Sequence, residues 1–480
     1  MAVNDIEELE PQRVFHYFKE ITAIPHGSYN IVAISNYIAA FAKEHNLRFI
    51  QEECGNVIIY KAATKGYENR PTVVIQGHMD MVAVKTAECT LDLTKDALDV
   101  CCDDEYVYAR GTSLGGDDGI AVAYALAILE SDSIEHPALE VVITVNEEVG
   151  MDGAMALDCN NITGRRLLNI DSEEEGILTV GCAGGQRVDV SFPYKRNERS
   201  GYVYEVTVNG LLGGHSGTMI HLERANANVI MGRILENINR SNKVYIESIS
   251  GGVKTNAIAD SCACSFVTEC PADECIEDMA AAIGREYCIS DPEINVTYNR
   301  KEASCAVIDE AISTAIINTL ITEPNGVINY VQGNPSLVET SLNIGVINDA
   351  DSEITLKYEL RSSVRTRIVN LARRVTYIAE SNGADVNMAD AYPEWEYRPD
   401  SSLLSTMSEC YRDVYGEEPK VDVVHAGLEC GIFLEKMPDM LAVSFGPNIL
   451  DIHTTNEKLD IKSVQRTWNY LLYVLKKIEI

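Results

Sequence analysis

The sequence predicts an α/β protein: a domain with a mixed, mainly parallel sheet flanked by helices, split in two by an inserted α+β domain. Three observations lead there. Short apolar runs such as Val73-Val74-Ile75, Val141-Val142-Ile143 and Leu167-Leu168 alternate with helical patterns, as expected of a sheet buried on both faces. From about Gly184 to Met388 the order changes to pairs of strands with intervening helices, and the first pattern then returns. Finally, 480 residues exceed what one hydrophobic core accommodates. The expected division is 1–185, 186–390 and 391–480.

Composition narrows the function classes. Lys plus Arg total 39 against 73 Asp plus Glu, so the net charge is −34, which disfavours nucleic-acid phosphates and anionic membranes as partners. No apolar run approaches the roughly 20 residues of a membrane span. The opening residues, Met1-Ala2-Val3-Asn4-Asp5-Ile6-Glu7-Glu8, lack the basic and apolar regions of a signal peptide, and a cytoplasmic location is expected. The 14 cysteines form one C-x-C (Cys262, Cys264) and one C-C (Cys101, Cys102) but no paired CxxC, and read as reduced core residues.

In chain order, Pro11 to Ala23 reads as an amphipathic helix, followed by the turn-like Ile24-Pro25-His26-Gly27-Ser28. A second helix is expected over Asn30 to Glu44, with Ile31, Ile34, Tyr37, Ile38 and Phe41 at helical spacing. Strands follow at 48–51, 57–61 and 73–76. Gly77 ends the last of these, and His78 and Asp80 then point to the same side of an extended chain. His-x-Asp fits a metal ligand with its orienting partner, although taken alone the pair is more often a satisfied histidine beside a surface aspartate.

Next, Gly111-Thr112-Ser113-Leu114-Gly115-Gly116-Asp117-Asp118-Gly119 forms a glycine-rich loop before an apolar helix, Ile120 to Glu130. Asp117 and Asp118 would cap that helix or, among small neighbours, approach cations closely. The strand 141–145 leads into Glu147 and Glu148, adjacent carboxylates that point in different directions, so that one can bind metal while the other acts as a base. The strand 167–170 ends in Asp171, and Glu173 to Glu175 behind it read as solvated charge. Several carboxylates and one histidine thus lie at strand ends, where ligand crevices of α/β sheets lie. Mutual repulsion among them would be relieved by two divalent ions, with zinc, manganese or cobalt suited to mixed oxygen and nitrogen donors.

In the insert, strands are expected at 202–208, 264–268, 294–298 and 354–360, and helices at 226–237, 272–287, 309–321 and 367–381. The loop Gly213-Gly214-His215-Ser216-Gly217 brings a histidine within reach of a ligand; Asn256 offers an amide and Arg361 a guanidinium suited to gripping a carboxylate. After the insert come a helix near 403–415, His425-Ala426-Gly427-Leu428-Glu429-Cys430-Gly431, a strand at 441–446, His453 with Thr454-Thr455-Asn456-Glu457, and a closing helix over 463–477.

Taken together, Ile24-Pro25-His26, Gly77-His78-Met79-Asp80-Met81-Val82, Asn169-Ile170-Asp171-Ser172-Glu173-Glu174-Glu175-Gly176 and His425-Ala426-Gly427-Leu428-Glu429-Cys430-Gly431 make the chain resemble the aminoacyl-histidine (Xaa-His, carnosinase-like) dipeptidases of the dinuclear zinc exopeptidases, over almost its whole length. The resemblance implies a catalytic domain carrying two zinc ions and an inserted lid and dimerisation domain. Asp117 would bridge the ions, with His78 and Asp171 on one and Glu148 and His453 on the other. Glu147 would be the general base and Asp80 would orient His78. His215, Asn256 and Arg361 would bind a dipeptide substrate, His215 reaching across a homodimer, with Glu429 at the substrate pocket. The run after His453 departs from the usual His-Ser-Pro-Asp-Glu, which bears on the preference for histidine. A deacylase of N-acyl amino acids and a non-catalytic peptide-binding dimer are the alternative readings.

Overall fold

The computed structural model describes residues 6–332, 334–350 and 352–478, so five residues of the stretch read for a signal peptide lie outside it. The chain divides into two compact units. Unit 1 holds Met1–Gly181, Tyr397–Val423 and Leu428–Ile480; unit 2 holds Cys182–Glu396 and Val424–Gly427. The switch points differ from the expected 185/186 and 390/391 because Cys182 and Trp395 exchange backbone hydrogen bonds in both directions (3.0 and 3.1 Å). The short segment 424–427 joins unit 2 because the Ala183 N–H donates to the carbonyls of Val424 and Ala426.

Unit 1 is built on an eight-stranded sheet. Its centre is parallel: Val73–His78 lies between Leu139–Thr144 and Arg166–Asn169, and Leu441–Ser444 runs parallel beside the last of these. Val57–Lys61 and Arg48–Gln51 extend one side in antiparallel fashion. All residues of Val73–His78 and Leu139–Thr144 are buried, so these strands read as apolar runs rather than as alternating patterns. Helix Gly116–Glu130 is buried from Gly116 to Leu129 and packs between helix Gln12–Thr22 and strand Val73–His78. Its first turn is irregular: Asp117 and Asp118 have non-helical backbone angles, so the regular helix begins at Gly119, close to the expected Ile120. A small four-stranded sheet, in the order Ile449–Leu450, Lys458–Asp460, Tyr106–Ala109 and Val100–Cys102, displays residues 451–457 as a hairpin loop.

Unit 2 contains a nine-stranded sheet whose assigned pairings are all antiparallel, with helices Ala227–Asn239, Asp273–Glu286, Glu310–Thr322 and Arg365–Ser381. The four helices and the paired strands follow the expected order. Strands at Gly184–Pro193, Gly326–Val331 and Asp385–Tyr392 were not expected. A large apolar core including Val190, Phe192, Tyr204, Ile234, Phe266, Ile316, Leu356 and Val375 runs beneath the sheet.

Candidate active site

The parallel strands of unit 1 deliver their acidic residues to one end of the sheet. His78 is the last residue of its strand, Glu147 and Glu148 follow Thr144, and Asp171 follows Asn169. The hairpin loop after Leu441–Ser444 contributes His453, held at a positive φ of 61°. These residues converge. His78 Nε2 lies 3.1 Å from Asp117 Oδ1 and 3.3 Å from Asp171 Oδ1. His453 Nε2 lies 3.2 Å from Asp117 Oδ2 and 2.9 Å from Glu148 Oε2. The two oxygens of Asp117 therefore face two different imidazoles.

Local sequence explains how the chain gets there. A Cβ on Gly77 would lie 2.4 Å from Asp118 Oδ2 and 2.7 Å from the Ala121 side chain. Its absence lets the glycine loop close on the strand, and the Asp118 carboxylate accepts the backbone N–H of His78 (3.1 Å). Asp118, left open between cap and ligand, is buried and commits one oxygen to that anchor. Although Asp118 also lies within metal-ligand range of His78 and Asp171, Asp117 is the better bridging candidate because both of its oxygens face imidazoles.

Asp80 acts differently from the simple His-x-Asp picture. His78 Nδ1 donates to the Asp80 backbone carbonyl (3.0 Å), while the Asp80 carboxylate stands 3.6 Å from the same nitrogen. That carboxylate accepts the Ser28 hydroxyl (2.8 Å) and the backbone N–H of Glu147 (3.0 Å). One buried carboxylate thus couples the histidine strand to the loop bearing the candidate base.

Glu457 escaped the sequence reading as a functional residue. Its carboxylate accepts the backbone N–H groups of Leu114, Gly115, Gly116 and Asp117 at 2.7 to 3.4 Å. It therefore ties the His453 loop to the Asp117 loop. An acid four residues after the loop histidine was the available signal.

Electrostatically the cluster invites cations. Burial opposes charge on His78, but Asp171, Asp117 and Asp80 outweigh it and raise its pKa well above the ordinary value. His453 is likewise pushed up to about 11: Asp117 and Glu148 outweigh its burial. Burial, reinforced by Asp171 and Glu148, raises Glu147 well above the carboxylate range even though His78 pulls the other way. Asp171 shifts up too, chiefly through burial. So many carboxylates share too little positive charge. Three overlapping groups, His78/Asp118/Asp171, His78/Glu147/Glu148 and Asp117/Glu148/His453, each place their donor atoms within 4.8 Å of one another. Mixed nitrogen and oxygen donors at this spacing fit a divalent-metal centre.

The remaining expected residues are accounted for separately. Glu429 is buried: helix Glu429–Lys436 starts there, and one of its carboxylate oxygens accepts from Gln76 Nε2 (2.5 Å) and Thr144 Oγ1 (2.6 Å). That oxygen braces two strands, while the buried Oε1 has no hydrogen-bond partner. In unit 2, His215 and Ala257 form an isolated antiparallel bridge, and the Ser216 N–H donates to the Asn256 carbonyl (2.9 Å), so the histidine and asparagine loops are neighbours. His215 Nδ1 accepts the N–H groups of Gly217 and Thr218 (3.2 and 3.1 Å), which leaves the proton of the neutral ring on Nε2. Arg361 is buried on strand Glu353–Ser362 and donates to the Tyr392 hydroxyl (2.6 Å).

With this geometry in hand, comparison with known proteins decides the family. Residues 74–477 match the model of peptidase family M20/M25/M40. The chain belongs to that family. It is thus a peptidase by descent, with the α/β fold and inserted unit described above. Across 99% of both chains this M20/M25/M40 peptidase is 34% identical to the cytosol non-specific dipeptidase of Escherichia coli (strain K12). The crystal structure of aminoacylhistidine dipeptidase from Vibrio alginolyticus superposes with a TM-score of 0.90 at 34% identity, covering 99% of both chains. A tripeptidase from Staphylococcus aureus shares the fold at 17% identity, with a TM-score of 0.57 over 98% of this chain and 99% of that one.

Proposed function

We propose that this chain is a dipeptidase whose unit 1 holds two divalent metal ions, zinc by preference, with manganese or cobalt as the other candidates. The observation that carries the reading is Asp117, whose two oxygens face His78 and His453 separately. His78 and Asp171 would hold one ion and Glu148 and His453 the other, with Asp117 between them. When bound, such ions lower the pKa of a water from 15.7 towards about 7 and polarise the scissile carbonyl.

The protein's own groups supply the rest. Glu147, made more basic chiefly by its burial, takes the proton of the attacking water and returns it to the leaving amine. Asp80 orients His78 through its carbonyl and fixes the Glu147 backbone through its carboxylate. In unit 2, the Nε2–H of His215 suits a carbonyl oxygen, and Asn256 and Arg361 suit further polar groups of the peptide. A homodimer through unit 2 belongs to this reading; the exposed Leu212 and Val253 near these loops support it, and light scattering on the purified protein tests it.

The full-length relatives favour dipeptides over N-acyl amino acids, because the matches to succinyl-diaminopimelate desuccinylases span only 25% and 28% of this chain. A cytoplasmic location accords with the cytosolic name of the Escherichia coli relative. No helix among the described residues is long and apolar enough to cross a membrane. A panel of Xaa-His, β-alanyl-His, other dipeptides, tripeptides and N-acyl amino acids, each with zinc, manganese and cobalt, tests the function. Turnover of dipeptides above the other classes is expected. Preferential cleavage of N-acyl amino acids would replace the reading with the deacylase one.

A further inference from the structure

Helix Arg365–Ser381 is out of character for this chain. The protein carries a net charge of −34, yet this helix holds four arginines, Arg365, Arg367, Arg373 and Arg374, against one acid, Glu380. Two of them, Arg367 and Arg374, line a cavity of about 370 Å³ shared with the hairpin of strands Gly326–Val331 and Asn334–Ala350, a size usual for small-molecule sites. Seven positions make two turns, so both arginines stand on one face of the helix, and Asn370 lies between them. Thr366 and, from the hairpin, Asn329 add polar lining.

The two guanidiniums are held differently. Arg367 Nε stands 2.9 Å from Glu339 Oε1, and the Glu339 side chain is 7% exposed. A buried carboxylate on Nε fixes the planar fork and keeps its Nη groups for another acceptor. Arg374 has no hydrogen bond or ion pair among the described residues. Glu323 feels its charge, but burial pushes that carboxyl up to about 8, so at neutral pH it is mostly protonated and does not cancel Arg374. Exposed arginines commonly serve solubility, which a chain with so large an excess of acid does not need from them. The cavity thus offers two guanidiniums, two amides and a hydroxyl, more donors than the two oxygens of a carboxylate engage. A phosphate group, with three acceptor oxygens and about −1.5 to −2 charges at neutral pH, is the better complement.

We propose that this cavity of unit 2 binds a phosphate group, gripped by Arg367 and Arg374 with Asn370 between them, either as free phosphate or on a small phosphorylated metabolite. The site goes beyond the dipeptidase reading, because none of its residues belongs to the metal cluster or to the side chains assigned to the peptide.

The test is calorimetric titration of the metal-loaded protein with inorganic phosphate and, separately, with adenosine monophosphate, in wild type, Arg374→Gln, Arg367→Gln and Arg373→Gln. Saturable binding to wild type is expected, weaker by on the order of 10–100-fold in Arg374→Gln and Arg367→Gln. Arg373 does not line the cavity, so Arg373→Gln should bind within about twofold of wild type, and dipeptide hydrolysis without phosphate should stay within about twofold in all three variants. Arg374→Gln carries the test alone if Arg367→Gln, which strands Glu339 without its ion pair, does not fold. Tighter binding of adenosine monophosphate assigns the site to a phosphorylated metabolite, and tighter binding of phosphate to the free ion. An equal loss in Arg373→Gln would show that the helix merely attracts anions and would overturn the site. So would binding unchanged in Arg374→Gln, as for phosphate held at the metal centre, or no saturable binding at all.

Discussion

Two regions of the molecule set histidines among buried charged groups, and they drive those histidines in opposite directions. At the strand ends of unit 1, Asp117, Glu147, Glu148 and Asp171 crowd around two imidazoles whose pKa values are driven up. In unit 2, His425 lies near Arg361 and His215, and its pKa is driven down by burial and by these two neighbours. The same side chain, histidine, is thus pushed in opposite directions by its surroundings. The acidic cluster holds its imidazoles charged, whereas beside Arg361, whose guanidinium stands 3.7 Å from the buried Glu359 carboxylate, the imidazole of His425 is held neutral.

The contrast is sharpest at Asp117. Replacing it by Asn should abolish bridging, lower the metal content measured by plasma emission spectrometry and reduce turnover by about three orders of magnitude or more. Full metal content and near-normal rate in this variant would remove the bridging role. Glu147→Ala is expected to keep both ions while kcat falls by about 10²–10⁴-fold, which separates proton transfer from metal binding within the acidic region. Glu457→Gln acts one step further out. By weakening the hold on the Leu114–Asp117 backbone, it should lower metal affinity about 10–100-fold in a competition titration while saturating metal restores most of the rate.

The smallest expected effect concerns a buried acid with no such company. Glu323 in unit 2 has both carboxylate oxygens buried and unpartnered, and burial pushes its pKa to about 8, against a modest opposing pull from Arg374. The folded chain therefore keeps a proton there that the unfolded chain releases near its ordinary value of 4.5, so this residue makes stability fall as pH rises from about 4.5 to 8. Glu323→Gln should leave the melting temperature at pH 5 nearly unchanged and stabilise the protein by about 1–3 kcal/mol at pH 8.5. Equal effects at both pH values would show that charge on Glu323 is not what matters.

Much of the acidic region is legible in the amino-acid sequence, for a physical reason. Parallel strands buried on both faces produce apolar runs, and the residues ending those runs fall at one end of the sheet whatever the loops do. His78, Glu147, Glu148 and Asp171 can be read this way. What the sequence conceals are contacts made through the backbone. Glu457 acts on four amide groups, Asp80 reaches His78 mainly through its carbonyl, and Ser28 holds the Asp80 carboxylate from 52 positions away. Periodicity carries no trace of such bonds. The bonds from Glu429 to Gln76 and Thr144 are hidden in the same way, because they join residues 353 and 285 positions apart. In unit 2, strand Asp385–Tyr392 escapes notice because it is an edge strand with mostly exposed or half-exposed residues and no apolar run. The surroundings of Arg361 are only half visible: it stands out at a strand end, but its neighbour His425 lies 64 positions on, across two helices and two strands.

The most direct measurement strips the protein with a chelator and titrates zinc back, following bound metal and dipeptide hydrolysis in the same samples. The stripped protein should be inactive, with activity returning as metal is added and binding saturating at about two ions per chain. Full hydrolysis by the metal-free protein, or saturation at a single ion with full activity, would contradict the two-metal centre built around Asp117.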